Sequence, residues 1–128
     1  SVNEFLDNKN LRILFAEDNE IAQDLLRKIF KKNNIEIDIA KDGMEVLQKL
    51  PNKDFDMIFM DVQMPILNGI DTTVEIRKNI KYKKIPIIAI SAFTNDEVVK
   101  QALEAGMDDY IFKPITAQSI FDCIKKFL

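Results

Sequence analysis

Histidine is absent from the chain, and cysteine occurs once, at Cys123. The lack of histidine excludes a His general base, a Ser-His-Asp triad and a His-ligated zinc site. A single cysteine can form no internal disulfide and has no second thiol for a metal site. Cys123 falls within a helical pattern, so we predict a half-buried packing role for it rather than a reactive thiol.

A long apolar span and a basic stripe are also missing. We find no signal-peptide pattern, so a cytoplasmic location without membrane contact is expected. The formal net charge is -3, and the densest basic cluster, residues 78–84, falls in a predicted loop, so nucleic acid is not expected to bind this domain. With 128 residues, 47% of them hydrophobic, the chain fits one domain around a single core.

Short apolar runs alternate with segments of helical spacing five times along the chain. Such alternation is typical of an α/β fold, in which a parallel sheet has helices on both faces. We predict a flavodoxin-like, doubly wound (βα)5 sandwich with strand order 2-1-3-4-5, in which the half-exposed second run is an edge strand. The predicted strands are residues 11–16, 35–39, 56–60, 87–90 and 110–112.

The apolar spacing also predicts which helix residues are buried and where two helices begin. Thr94, followed by Glu97, is predicted to cap the fourth helix, and Thr116 the fifth. The predicted apolar faces are Ala22, Leu25, Leu26, Ile29 and Phe30 in the first helix, Val98, Val99, Ala102 and Leu103 in the fourth, and Ile120, Ile124 and Phe127 in the fifth. In the third helix, Ile70, Val74 and Arg77 are predicted to share one side.

Polar side chains end four of the five predicted strands. Glu17 and Asp18 follow the first strand, Asp61 the third, Ser91 the fourth and Lys113 the fifth. Parallel strands place their carboxyl ends at one edge of the sheet, where open α/β sheets bind ligands, so the three acids are expected to converge. Taken singly, each residue also has an ordinary role, as a strand cap, a charge at a helix N-terminus, a loop hydroxyl or a solvated lysine.

Three converging carboxylates repel one another. At about 4 Å and an effective dielectric near 20, each pair costs roughly 4 kcal/mol. Proton uptake with a raised pKa would relieve this repulsion, and so would a cation between the acids. Oxygen ligands favour Mg2+ over Ca2+ here, because few protein ligands are available and water or phosphate can fill the remaining positions. Acids, a cation and a lysine are typical of a phosphoryl site, in which Asp61 is the candidate nucleophile.

Four segments resemble the receiver domain of two-component signalling, the response-regulator family. The resemblance spans residues 11–128, and residues 1–10 are interpreted as a linker or an expression remnant. The matching segments are Glu17-Asp18-Asn19-Glu20, Met60-Asp61-Val62-Gln63-Met64-Pro65 with Asn68-Gly69, Ser91-Ala92 and Lys113-Pro114.

The resemblance implies a magnesium site and a phosphorylation site. Asp61 would accept the phosphoryl group and, with Asp18, would ligate Mg2+ directly. The Gln63 carbonyl would be the third protein ligand, and Glu17 would act through water. Glutamate stands at position 17, where many members of the family have aspartate, so the water geometry is expected to differ.

The resemblance also implies residues that respond to the phosphoryl group. Ser91 and Lys113 would contact its oxygens, and Tyr110 matches the aromatic switch position, so that the surface of the fourth helix, fifth strand and fifth helix would change. The Lys113-Pro114 bond is expected to be cis. Gln63 and Phe93 occupy the flanking positions that tune dephosphorylation in the family.

The motifs are most like those of receivers attached to hybrid histidine kinases, which pass phosphate to a histidine phosphotransfer domain. A histidine kinase or a phosphotransfer domain is therefore the expected partner, and the polar start at Ser1 suggests a fragment of a longer chain, which would place it in the cytoplasmic part of a membrane-bound kinase. The domain itself would have at most Mg-dependent self-phosphorylation and self-dephosphorylation activity. Two alternatives stay open: a pseudo-receiver that only binds proteins, and a flavodoxin-like electron carrier.

Overall fold

The computed structural model describes residues 10–33, 35–93 and 95–128, so the predicted N-terminal linker lies outside it except for Asn10. The longest helix has 13 residues, and none of the helices in these ranges is long and apolar enough to cross a membrane. The elements are β1 Ile13–Ala16, α1 Glu20–Lys32, β2 Ile37–Ala40, α2 Gly43–Lys49, β3 Met57–Asp61, α3 Gly69–Arg77, β4 Ile87–Ser91, α4 Asp96–Ala105, β5 Asp109–Phe112 and α5 Ala117–Phe127, with single 3-10 turns at Leu50–Asn52 and Ile80–Tyr82.

The five strands form one parallel sheet in the order β2-β1-β3-β4-β5, as predicted. The register pairs Asp61 with Ile90 and Ser91 with Phe112, so the carboxyl ends of the central strands lie side by side. Strands β1, β3 and β4 are buried along their whole length, which explains why their residues are apolar up to Asp61 and Ser91 at the ends of β3 and β4. Strand β2 is a half-buried edge strand, as its alternating sequence predicted.

Alternate residues of the strands fill two apolar layers, one on each face of the sheet. Helices α1 and α5 cover the layer that contains Phe15 and Phe59, whose rings stack with centroids 5.0 Å apart. Helices α2, α3 and α4 cover the layer that contains Leu14 and Met60. Each such fully buried side chain contributes about 1.5–3 kcal/mol, so both layers hold the strand ends in place.

Helix α3 buries only part of the predicted side, since Ile70 packs against the core but Val74 does not. Val74 is 40% exposed, whereas Thr72 and Thr73 are fully buried. The two hydroxyls satisfy their hydrogen bonds inside the helix, donating to Asn68 O at 2.7 Å and to Gly69 O at 2.8 Å. The buried side of α3 therefore contains two threonines, together with Ile76, that the apolar spacing did not mark.

Arg77, predicted to share one side of α3 with Ile70 and Val74, connects several elements through hydrogen bonds. Its Nε and Nη2 donate to the Gly106 carbonyl at 3.0 and 2.8 Å, and Nη2 also pairs with Asp108 at 2.9 Å. The Asp108 carboxylate in turn accepts a hydrogen bond from Ile87 N at 2.9 Å. This network joins α3 to the starts of β4 and β5. It lies at the amino-terminal ends of the strands, whereas the candidate site lies at their carboxyl ends.

Two other helix faces are narrower than predicted. Leu25 of α1 is 51% exposed, and Leu103 of α4 is 46% exposed. The remaining predicted positions of α1, α4 and α5 are buried or half-buried. Leucine at the margin of an apolar stripe therefore extends beyond the area that the sheet can cover.

The predicted cap of α4 was wrong. The cap residue is Asn95, whose side chain accepts a hydrogen bond from Val98 N at 2.9 Å, so Glu97 does not complete a capping box; Thr94 itself lies outside the described residues. Asparagine is at least as good a cap as threonine, and adjacent candidates cannot be separated by pattern alone. Thr116 caps α5 as predicted, with Ser119 completing the capping box.

Candidate functional site

The carboxyl ends of four strands line one cleft of about 910 Å3. The loop after β1 carries Glu17 and Asp18, β3 ends with Asp61, β4 ends with Ser91, and Lys113 follows β5. All the polar residues that were predicted at the ends of these four strands therefore line the same cleft. The convergence follows from the parallel sheet, because the four strands run in one direction and end at one edge.

Three carboxylates meet in this cleft, as predicted. Glu17, Asp18 and Asp61 each offer an oxygen, and these oxygens lie within 4.8 Å of one another. Glu17 is 0% and Asp61 3% exposed, whereas Asp18 faces solvent. Asp61 Oδ1 accepts a hydrogen bond from Gln63 N at 3.0 Å, which fixes the orientation of its carboxylate.

Lys113 is the positive charge of the cluster. Its Nζ lies 2.8 Å from Asp61 Oδ2 and 3.6 Å from Glu17 Oε2. Burial on its own lowers the pKa of Lys113, but the hydrogen bond and charge of Asp61, together with Glu17, outweigh burial and raise it. The lysine therefore stays charged and holds the nucleophile candidate in an ion pair.

The single positive charge of Lys113 does not balance the negative charges of three acids, and the excess negative charge affects the pKa of Glu17. Burial, and then the neighbouring Asp61 carboxylate, raise the pKa of Glu17 to about 7, against opposing effects of the Asn19 N–H and Lys113. Within residues 10–33, 35–93 and 95–128, Glu17 Oε2 is the one buried side-chain oxygen or nitrogen without a hydrogen-bond partner. An orphaned buried oxygen beside two further carboxylates fits a hard divalent cation.

Ser91 and Tyr110 differ in their relation to the cleft. Ser91 is 4% exposed, and its Oγ accepts a hydrogen bond from Phe93 N at 2.9 Å, so the hydroxyl proton is left to donate elsewhere. Tyr110 is 38% exposed on β5, with its ring 5.1 Å from that of Phe112, and it is not among the described residues that line the cleft. The Lys113-Pro114 bond is cis, as the resemblance implied.

Two residues contribute to the site's geometry in ways that the sequence did not predict. Gln23, on α1, donates through Nε2 to the Glu17 carbonyl at 2.6 Å, and nothing in the local pattern marks it. Gly69, which belongs to a matching segment but was assigned no role, donates through its backbone N–H to Val62 O at 3.0 Å and packs against Asp61. A Cβ on Gly69 would overlap the Asp61 carbonyl oxygen.

Gly69→Ala is expected to destabilise the protein by about 2 kcal/mol, because overpacking typically costs 1–3 kcal/mol. The sign opposes helix propensity, which favours alanine by about 1 kcal/mol at an open helix position. Denaturant unfolding of Gly69→Ala measures the change, and Glu75→Ala, on the same helix, is the control. Equal or greater stability of Gly69→Ala would show that the loop after β3 yields easily.

The family description "response regulator receiver domain" matches residues 13–125 of the chain. Hybrid signal transduction histidine kinase A of Dictyostelium discoideum is 37% identical over 119 residues, which cover 90% of this chain and 6% of that kinase. Osmosensing histidine protein kinase SLN1 of Saccharomyces cerevisiae is 35% identical over 130 aligned residues, covering 94% of this chain and 11% of that kinase. The chain thus spans a small part of these relatives.

A solved structure agrees with the sequence relatives. It is the receiver domain of the sensor histidine kinase PA1611 from Pseudomonas aeruginosa, with a magnesium ion coordinated in its active-site cleft. The TM-score is 0.84 at 27% identity, covering 91% of this chain and 96% of the other.

The sheet order and the acidic cleft define a doubly wound α/β domain whose site lies at the carboxyl ends of its strands. With the family match over most of its length, the chain belongs to the response regulator receiver domains of two-component signalling, and it is homologous to the receivers of hybrid histidine kinases. The electron-carrier alternative is therefore dropped.

Proposed function

We propose that this receiver accepts a phosphoryl group on Asp61 from a phosphohistidine donor, in a reaction that depends on Mg2+. The observation that carries the proposal is the position of the Asp61 carboxylate, which lies among two further acids and is ion-paired to Lys113 at 2.8 Å. Transfer would break the P–N bond of the donor imidazole, which leaves with the electron pair, and would form a P–O bond to a carboxylate oxygen of Asp61.

The residues present fit a magnesium ion. Asp18, Asp61 and the Gln63 carbonyl would hold it, with Glu17 acting through water. The three close carboxylate oxygens and the unpartnered Glu17 Oε2 support this assignment. When bound, the ion would supply positive charge to the phosphoryl oxygens.

Lys113 and Ser91 would bind the transferred group. The Lys113 ammonium already lies at the Asp61 carboxylate, so it needs to move little to pair with a phosphoryl oxygen. The Ser91 hydroxyl, whose oxygen accepts from Phe93 N, would donate to another. The side chains of Gln63 and Phe93 are both exposed at the cleft, where they would control access of water and hence the lifetime of the phosphorylated state.

Two surfaces would connect the site to partners. Leu103, Tyr110 and Phe112 expose 46%, 38% and 36% of their surfaces on α4 and β5, which supports a switching role for Tyr110 at the surface formed by α4, β5 and α5. Ile21 and Leu25, on α1 beside the cleft, are 81% and 51% exposed and would receive a histidine kinase or histidine phosphotransfer domain. A cytoplasmic location, without nucleic acid or membrane contact by this domain, stays a prediction.

Incubation with acetyl phosphate and Mg2+ is expected to add one phosphoryl group to the protein. Asp61→Asn, which keeps the side chain's shape and replaces the nucleophilic carboxylate with a neutral amide, should abolish the addition. Intact-protein mass spectrometry measures the product, and EDTA should prevent its formation. Asp122→Asn, at an exposed acid of α5 that accepts from Gln118, is the matched control and should be phosphorylated normally.

Wild-type protein that takes up no phosphoryl group from acetyl phosphate or from phosphohistidine donors would contradict the proposal. Full signalling by an Asp61→Ala chain would then favour the pseudo-receiver, which acts only by binding proteins.

A further inference from the structure

Gln23, at the end of the first turn of α1, bonds back to the loop that carries the acidic pair. Its Nε2 donates to the Glu17 carbonyl at 2.6 Å, and its backbone N–H donates to the Asn19 carbonyl at 2.9 Å. One residue therefore holds two of the three carbonyls between β1 and α1. The side-chain bond spans six residues, so it depends on the helix rather than on the loop itself.

Glu17 is held by two hydrogen bonds besides the one that its carbonyl accepts from Gln23. Its backbone N–H donates to Ala40 O at 2.9 Å, and Oε1 accepts from Asn19 N at 3.2 Å. Only Oε2 has no hydrogen bond, and it faces Lys113 at 3.6 Å. Of these anchors, the Gln23 amide is the one supplied by another residue's side chain, so it can be removed without altering the backbone.

The acidic loop needs such an anchor because its charges repel. The oxygens of Glu17, Asp18 and Asp61 lie within 4.8 Å of one another, and Asp18 is exposed, so a released loop can relieve the repulsion by turning outward. Groups that orient metal ligands typically change metal affinity 10- to 100-fold when they are removed.

We propose that Gln23 is a positioning residue for the divalent-cation site. By holding the Glu17 carbonyl it keeps the side chains of Glu17 and Asp18 directed at Asp61, and it thereby sets the affinity for Mg2+. The inference rests on the proposed Mg2+-dependent phosphorylation and assigns to that site a residue outside its cleft.

Gln23→Met tests the inference, because methionine keeps the length and the helix propensity of glutamine but lacks the donor. The Kd for Mg2+, measured by isothermal titration calorimetry, is expected to be about tenfold higher in Gln23→Met than in the wild-type chain. The Mg2+ concentration for half-maximal phosphorylation by acetyl phosphate should rise by about the same factor, while the rate at saturating Mg2+ changes by less than about twofold. If Gln23 only stabilised the fold, its replacement would change both the Mg2+ concentration for half-maximal phosphorylation and the rate at saturating Mg2+.

Two further variants complete the experiment. Gln118→Met makes the same change on α5, where the glutamine amide donates to Asp122 at 2.7 Å, and should leave Mg2+ binding unchanged. Gln23→Ala removes the donor and the side-chain volume, and should match Gln23→Met. An unchanged Kd in Gln23→Met would overturn the inference, as would weakening confined to Gln23→Ala, which would show that packing is the cause. Wild-type protein that binds no Mg2+ would overturn the inference and the proposed function together. If the wild type binds Mg2+ and Gln23→Met binds it with the same Kd, the inference alone is overturned.

Discussion

Lys113→Met is expected to slow phosphoryl transfer from acetyl phosphate about 100- to 1,000-fold, the usual effect of removing one group that stabilises transition-state charge. The same change should tighten Mg2+ binding about tenfold, because it removes a cation that now lies 2.8 Å from Asp61 and 3.6 Å from Glu17. The two effects have opposite signs because the lysine competes with a bound cation for the acids but assists it once the phosphoryl group arrives.

Rates at saturating Mg2+, followed by mass spectrometry, and a separate calorimetric titration measure the two effects. Lys126→Met is the matched control, since Lys126 forms an ion pair of similar length, 2.9 Å to Asp109, on an exposed surface. Exposed pairs contribute little, so this control should change neither quantity. A Lys113→Met chain that transfers phosphate at the wild-type rate would remove Lys113 from the proposed mechanism.

The sheet order and the strand positions could be predicted because strands buried in a parallel sheet consist of consecutive apolar residues, which are easy to find in the sequence. Strands β1, β3 and β4 are apolar up to Asp61 and Ser91 at the ends of β3 and β4, whereas β2, at one edge of the sheet, alternates. Predicted boundaries were displaced by one or two residues, as for β3, predicted from Asp56 and observed from Met57. Such displacement leaves the carboxyl ends almost unmoved, which is why the site residues could still be located.

The helix faces were harder, because apolar spacing records hydrophobicity and not hydrogen bonding. Thr72 and Thr73 are buried since their hydroxyls donate within α3, an option that a hydrophobic pattern does not contain. Leu25 and Leu103 are exposed since each lies at the margin of its stripe. The pattern therefore finds the centre of a face more accurately than its edges.

The convergence of the acids was predictable, but their energetics were not. Strand order alone brings Glu17 and Asp61 to one edge, whereas the 0% exposure of Glu17 and its unpartnered Oε2 depend on the packing around the cleft. The contact from Gln23 joins a helix to a loop through one side chain, and no periodicity encodes such a contact. These properties arise from distances between elements, which the sequence pattern does not encode.

Glu17→Gln is expected to abolish a pH dependence of stability in the metal-free protein. A pKa of about 7 in the folded chain, against 4.5 for the unperturbed acid, means that folding favours the protonated form. The stabilisation is therefore complete below about pH 4.5, declines as the pH rises, and is lost above about pH 7, for a total of about 3 kcal/mol. Glutamine is neutral at every pH and cannot contribute to this decline.

Denaturant unfolding in EDTA at intervals from pH 5 to pH 8 measures the effect as a free energy of unfolding. Glu75→Gln, at an acid of α3 whose partner Lys78 lies 2.7 Å away, is the control and should retain the wild-type slope. Equal slopes in Glu17→Gln and wild type would mean that the buried carboxyl is ionised throughout. The excess charge of the cleft would then have to be balanced by Lys113 alone, and the case for a cation at Glu17 would weaken, since the orphaned oxygen would carry no cost for an ion to relieve.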